Sequence, residues 1–167
     1  MSTLTHETRC VQNPALGAVL LWRFTVAWTK QSSTSGHPPL PQVFLVLPVL
    51  FHEDTFDLLK GTNRPTGLHG FAQKFSRKAI CKSDVLLGVH ARALAWRELT
   101  WESLQLAVRS RLVTVIPASG TVVPLTETRA SGVPTHVKRL VTNAEKLEAW
   151  CSHLSLFEIA SVLKVHF

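Results

Sequence analysis

At 167 residues the chain is long enough for one domain, or for a core domain with a small accessory lobe. With 46% apolar and 17% charged residues it lies far from the composition of a disordered segment, and a mean hydropathy of +0.15 implies apolar surface that a partner covers. Net charge is +7, and its distribution is uneven: residues 1–60 are neutral overall, residues 61–111 carry +6 and residues 112–167 carry +1. A positive middle third suits contact with phosphate or an acidic protein face, although scattered solvating charges would give the same count.

Asn13-Pro14 opens the first element, a capping residue followed by the residue that best tolerates the first helical position. From Ala15 to Trp28 apolar residues cover nearly every face, as suits a central helix packed on several sides. A Ser/Thr/Gly-rich loop leads to Pro38-Pro39-Leu40-Pro41, and Pro41 to Phe51 reads as a second helix that should kink or break at Pro48. A buried strand over Val43 to Leu47 is the alternative, because β-branched residues and Phe favour one. Asp54 or Thr55 is expected to cap a short helix running to Lys60 and closed by Gly61.

Helical spacing then recurs from Leu68 to Trp96, broken around Cys81 to Ser83, which gives two helices. Thr100 should cap a third, ending near Ser110, and Leu112 to Leu125 forms a β-hairpin around Pro117-Ala118-Ser119-Gly120. Three helices followed by a hairpin is the order of a winged helix-turn-helix. After a loop from Thr126 to Pro134, Val137 to Trp150 forms a helix and Ser155 caps a short last one, so the chain should end as a helical hairpin. The expected fold is mainly α, in the broad α+β sense. It has an N-terminal helical segment (1–62), a winged-helix-like segment (63–126) and a C-terminal hairpin (127–167) in one compact domain.

No apolar run approaches the roughly 20 residues a spanning helix needs. Residues 1–12 show no secretory signal, so a cytoplasmic protein without membrane contact is expected. Cys10, Cys81 and Cys151 match neither a disulfide framework nor a zinc site, and read as reduced thiols. No phosphate-binding glycine loop, nucleophile elbow or metal-binding histidine pair occurs, so neither an active site nor a cofactor is expected. Two groups of residues remain as candidates. Lys74, Arg77, Lys78, Lys82, Arg92, Arg97, Arg109 and Arg111 could form a patch for nucleic acid or an acidic partner. Leu140, Leu147, Trp150 and Phe157 could form an apolar partner face. On a winged helix the third helix would be the reading element, yet Glu98, Glu102 and Trp101 suit base readout poorly. Protein contact, with at most non-specific phosphate attraction, is the stronger reading, and a stand-alone winged-helix regulator of DNA the alternative.

Asn13-Pro14-Ala15-Leu16 before an apolar helix, then Pro39-Leu40-Pro41 leading through Phe44 to Phe51 into His52 and Thr55, resembles the middle component of three-component ABC systems. Such components resemble the small accessory subunit of Lamassu-type defence systems, where an SMC-like ABC ATPase senses foreign DNA and works with an effector, often a nuclease. The resemblance implies a non-catalytic adaptor between ATPase and effector, meeting DNA through the complex. It supplies no functional residues, and the loop Gln31 to Pro39 is longer than the pattern.

Overall fold

A computed structural model describes residues 13–31, 36–77, 80–128 and 132–166, with residues 75–77 and 80–87 described by their backbone alone. Asn13 Oδ1 accepts the Ala15 amide at 2.8 Å, and helix α1 (Pro14–Gln31) follows. Its buried residues, among them Leu20, Leu21, Phe24 and Val26, lie on several sides, and it packs most extensively on two later helices. Helix α2 (Leu40–Leu50) takes the helical alternative. It runs through Pro48 without a break: Pro48 has no amide hydrogen to donate to the preceding turn, but the Phe51 amide still reaches Leu47 O at 2.9 Å.

Helix α3 (Glu53–Lys60) has His52 at its N-cap position, so Asp54 and Thr55 lie inside it and neither caps it. Thr55 instead turns its hydroxyl back, donating to Val49 O at 2.7 Å and His52 O at 2.9 Å, and so fixes the α2–α3 turn. The far end of α3 is held by a distant residue. Lys146 Nζ donates to Leu59 O at 3.1 Å and Thr62 O at 3.0 Å, satisfying carbonyls that a helix C-terminus leaves open.

A short 3₁₀ turn (Arg64–Thr66) leads to α4 (Gly67–Arg77), α5 (Ile80–Ala95) and α6 (Arg97–Arg109). Cys81 to Ser83, the site of the expected break, therefore lie within the first turn of α5, which begins at Ile80. Helix α6 starts before Thr100, whose hydroxyl donates back to Trp96 O at 3.0 Å rather than capping. Strands β1 (Val113–Ile116) and β2 (Thr121–Pro124) pair antiparallel, with Val113 opposite Pro124 and Ile116 opposite Thr121. The free edge of β2 is covered: Leu40 N–H donates to Gly120 O at 2.8 Å and Val122 N–H to Pro38 O at 3.0 Å. The order of three helices and a hairpin is present. However, α6 packs chiefly on α1 and only lightly on α5, so the hairpin and its preceding helix are built onto the N-terminal helix.

Helices α7 (Thr135–Cys151) and α8 (Leu156–Leu163) complete the chain. The expected C-terminal hairpin does not fold on itself, since α8 packs on α4 and α5 rather than along α7. One apolar core runs through all three sequence segments, from Leu20 and Leu47 through Phe71 and Leu104 to Leu147 and Ile159. Ser155 caps α8 as expected: its Oγ accepts the Glu158 amide at 3.2 Å and Glu158 Oε2 accepts the Ser155 amide at 2.8 Å. Ser155→Ala should lower stability by about 1 kcal/mol, read as a fall in the urea midpoint at constant slope, while Ser155→Asp should lose little.

Candidate protein interface

The basic residues picked out from the sequence do not form one solvent-facing row. Lys74 bends toward the end of α3, with Nζ 3.1 Å from Thr62 Oγ1 and 3.4 Å from Gly61 O. Arg92 is half-buried and its Nε donates to Pro48 O at 3.3 Å; burial pulls its pKa below the usual guanidinium value. Both cations are engaged by oxygens of the protein itself. Arg77 and Lys82 belong to the backbone of α4 and α5, and Lys78 lies outside the described residues. Arg97, Arg109 and Arg111 are exposed, but Arg97 and Arg109 stand at opposite ends of α6, about 18 Å apart at 1.5 Å per residue.

The apolar candidates divide as well. Leu147 and Trp150 are 2% and 3% exposed and belong to the core, where Trp150 Nε1 donates to Arg64 O at 2.7 Å and its ring lies 5.4 Å from that of Phe71. Leu140 is half-buried against the same core, and only Phe157, 80% exposed, faces solvent. The stripe on α7 is thus an inner face, not a docking face.

A larger group of exposed apolar side chains lies on α5 and α6, beside the half-buried Phe44 of α2. Trp101 is 46% exposed and Leu94 61%. The Phe44 and Trp101 rings meet at 6.0 Å between centroids. Two hollows of about 270 and 520 Å³ share Phe44 and Arg97. Pro41, Ala93 and Leu94 line the first, together with Val165 and His166 of the C-terminal tail. Trp101, Glu98, Glu102 and Gln105 line the second. The tail is held there by the His166 amide donating to His90 Nδ1 at 3.3 Å, with the two imidazoles edge to face. One signal in the sequence could have found this surface. The buried positions of α6 are Thr100, Ser103, Leu104 and Ala107, and Trp101 is a large apolar residue out of phase with them.

Among the described residues one carboxyl is buried. Glu148 is fully buried, and burial pushes its pKa up to about 7, against the smaller opposing effects of the Ser152 hydroxyl and the Arg64 charge. With its amide oriented so that both ends are satisfied, Gln31 donates to Glu148 Oε2 at 3.0 Å and accepts from Arg64 Nη2 at 3.0 Å. One turn on, the buried Cys151 thiol is pushed up to about 12 by burial and then by Glu148, which makes it a poor nucleophile at neutral pH. Among the described residues no three His, Cys, Asp or Glu side chains gather as a metal site would require, and no helix is long and apolar enough to cross a membrane.

No curated protein and no solved structure matches the chain. A family model does, over residues 1–167: that of the ABC-three component (ABC-3C) system Middle Component 3. The residues that open α1 and lead through α2 to Thr55 carry the resemblance in the sequence, and the match extends it to every element of the fold; the chain belongs to the ABC-three component system Middle Component 3 family.

Proposed function

We propose that this middle component is a non-catalytic adaptor that joins an SMC-like ABC ATPase to an effector, a nuclease, in bacterial defence of the Lamassu type, acting in the cytoplasm. The observation that carries this reading is the uncovered apolar surface of Leu94 and Trp101, beside the half-buried Phe44, on helices that are otherwise well packed. Large aromatic residues left in water on such a frame mark protein contacts, and a central Trp is the residue type that most often dominates binding. In this reading the helices from α4 to α6 and the hairpin act as a winged-helix-like unit that presents α6 to a protein. DNA is met through the assembled complex. Glu98 and Glu102 beside Trp101 would repel phosphate, which argues against a regulator that reads bases through α6.

An adaptor alters the reaction of another subunit only by binding its states with different affinity. The test is co-purification of the chain with the ATPase and effector encoded beside it, as wild type and as Trp101→Glu with Leu94→Glu. The double variant should stay folded with a modestly lowered melting temperature, because Leu94 is 61% exposed and Trp101, 46% exposed, gives up its contact with Phe44 but leaves the core intact. It should lose one partner by at least about thirtyfold in affinity, the size expected for a hot-spot Trp, and keep the other. Unchanged retention of both partners, or nucleotide hydrolysis or DNA cleavage by the purified chain alone, would overturn the reading.

A further inference from the structure

The fold assembles a basic site that no stretch of the sequence contains. Helix α1 sets Arg23, Ala27, Lys30 and Gln31 on one face, at spacings of four, three and one residue, and α7 sets Lys138, Val141, Thr142 and Glu145 on one face in the same way. With Arg64 and Val133 these faces line a cleft of about 730 Å³. Its floor and walls are apolar at Ala27, Val133 and Val141, and its cations come from three separate parts of the chain.

Those cations are not equally committed. Arg23 is tied down, its Nε donating to Glu145 Oε1 at 3.0 Å and its Nη1 to Thr128 O at 3.2 Å. Lys30 lies 3.8 Å from Glu127, but both side chains are more than half exposed, at 54% and 61%, so the pair is solvated and weak. Lys138 is exposed and meets no carboxylate within 4.0 Å among the described residues. Arg64 is exposed, and one of its guanidinium nitrogens already serves Gln31. With Arg23 neutralised by Glu145, three positive charges surround an apolar floor.

We propose that this cleft binds an acidic segment of a partner protein, an extended stretch in which carboxylates flank an apolar side chain. The carboxylates would meet Lys30, Lys138 and Arg64, and the apolar side chain would rest on Ala27, Val133 and Val141. A nucleic-acid backbone fits this lining less well. The apolar floor offers nothing to a sugar-phosphate chain, and none of the described residues that line the cleft carries an aromatic ring for a base to stack on. A carboxylate segment carries a lower density of charge and can use the apolar floor as well. The proposal rests on the chemistry of this cleft alone and stands or falls separately from the surface around Trp101.

The test uses the full chain and a fluorescein-labelled peptide in which leucine is flanked by aspartate and glutamate, followed by fluorescence anisotropy. Comparison probes are the same peptide with asparagine and glutamine in place of the acids, and a short DNA duplex. Lys30→Glu with Lys138→Glu should keep the wild-type melting curve and weaken the acidic peptide by about tenfold or more, as reversed charges at a contact do. Arg109→Glu with Arg111→Glu makes the same change in net charge on α6 and the turn after it, and should leave peptide binding unchanged. The proposal is overturned if the acidic peptide does not bind, if the neutral peptide binds equally well, or if both double variants weaken binding alike. It is also overturned if the duplex binds through Lys30 and Lys138 and displaces the peptide, which would make the cleft a nucleic-acid site.

Discussion

Gly17→Val should destabilise the protein by about 3 kcal/mol or more, although replacing a helical glycine ordinarily gains 0.5 to about 1 kcal/mol. The reason lies where α1 passes over α6. A Cβ at position 17 would lie well inside van der Waals contact distance of Ser103 Oγ, 2.8 Å from Ser103 Cβ and 3.1 Å from Leu47 Cδ1. Ser103 cannot swing aside into solvent, because it is fully buried and its hydroxyl donates to Leu99 O at 2.7 Å. A valine adds further heavy atoms to a gap already too small for one, so either the helices separate or the core shifts, and both lose packing. The check is a urea titration of wild type, Gly17→Val, Gly17→Ala and the pair Gly17→Ala with Ser103→Gly. Gly17→Ala should be the milder change, and Ser103→Gly should restore much of what it loses, since that substitution removes the two atoms in the way. If Gly17→Val unfolds at the wild-type midpoint, the close approach of α1 and α6 is not what holds these helices together.

That crossing also shows which parts of the fold could be read in advance. Helix positions were legible, because Asn13-Pro14, Ser155 with Glu158, and the periodic apolar residues act locally through caps and faces. What each face packs against was not. The Leu140, Leu147 and Trp150 stripe of α7 announces burial, but periodicity does not distinguish a core from a partner, and here most of it is core. The same gap affected the charges. Counting along the chain placed the positive field in residues 61–111, yet Lys74 and Arg92 turn to oxygens of the protein itself, while Arg64 from that segment is joined by Arg23, Lys30 and Lys138 from segments whose net charge is close to zero. Thr55 and Thr100 misled in another way. A threonine near a helix start can cap it or bond back to the preceding turn, and both do the latter.

Glu148→Gln should stabilise the protein at alkaline pH and leave it nearly unchanged in acid. Burial raises the Glu148 carboxyl from its ordinary value of 4.5 to about 7, so the folded chain holds a proton that the unfolded chain has already released between those values. Where the folded state binds more protons, stability falls as pH rises. The loss therefore begins near pH 4.5, grows up to about pH 7 and is complete above it, when the folded protein too must carry a buried carboxylate. Its size follows from the separation of the two values and is at most about 3 kcal/mol, at 1.36 kcal/mol for each pH unit. Glutamine has the shape of the protonated acid and cannot ionise, so urea midpoints of the variant should match wild type near pH 4 and exceed it increasingly toward pH 8. The gain above pH 7 also depends on Gln31 and Arg64, which are 3.0 Å apart and sit beside the carboxyl; the Arg64 charge already offsets part of the burial penalty. Removing that charge with Arg64→Met should therefore enlarge the difference between glutamate and glutamine at pH 8. A Glu148→Gln variant that is less stable than wild type at pH 8 would mean that ionised Glu148 is held by Arg64 more strongly than burial disfavours it, and that the pH profile has the opposite sign.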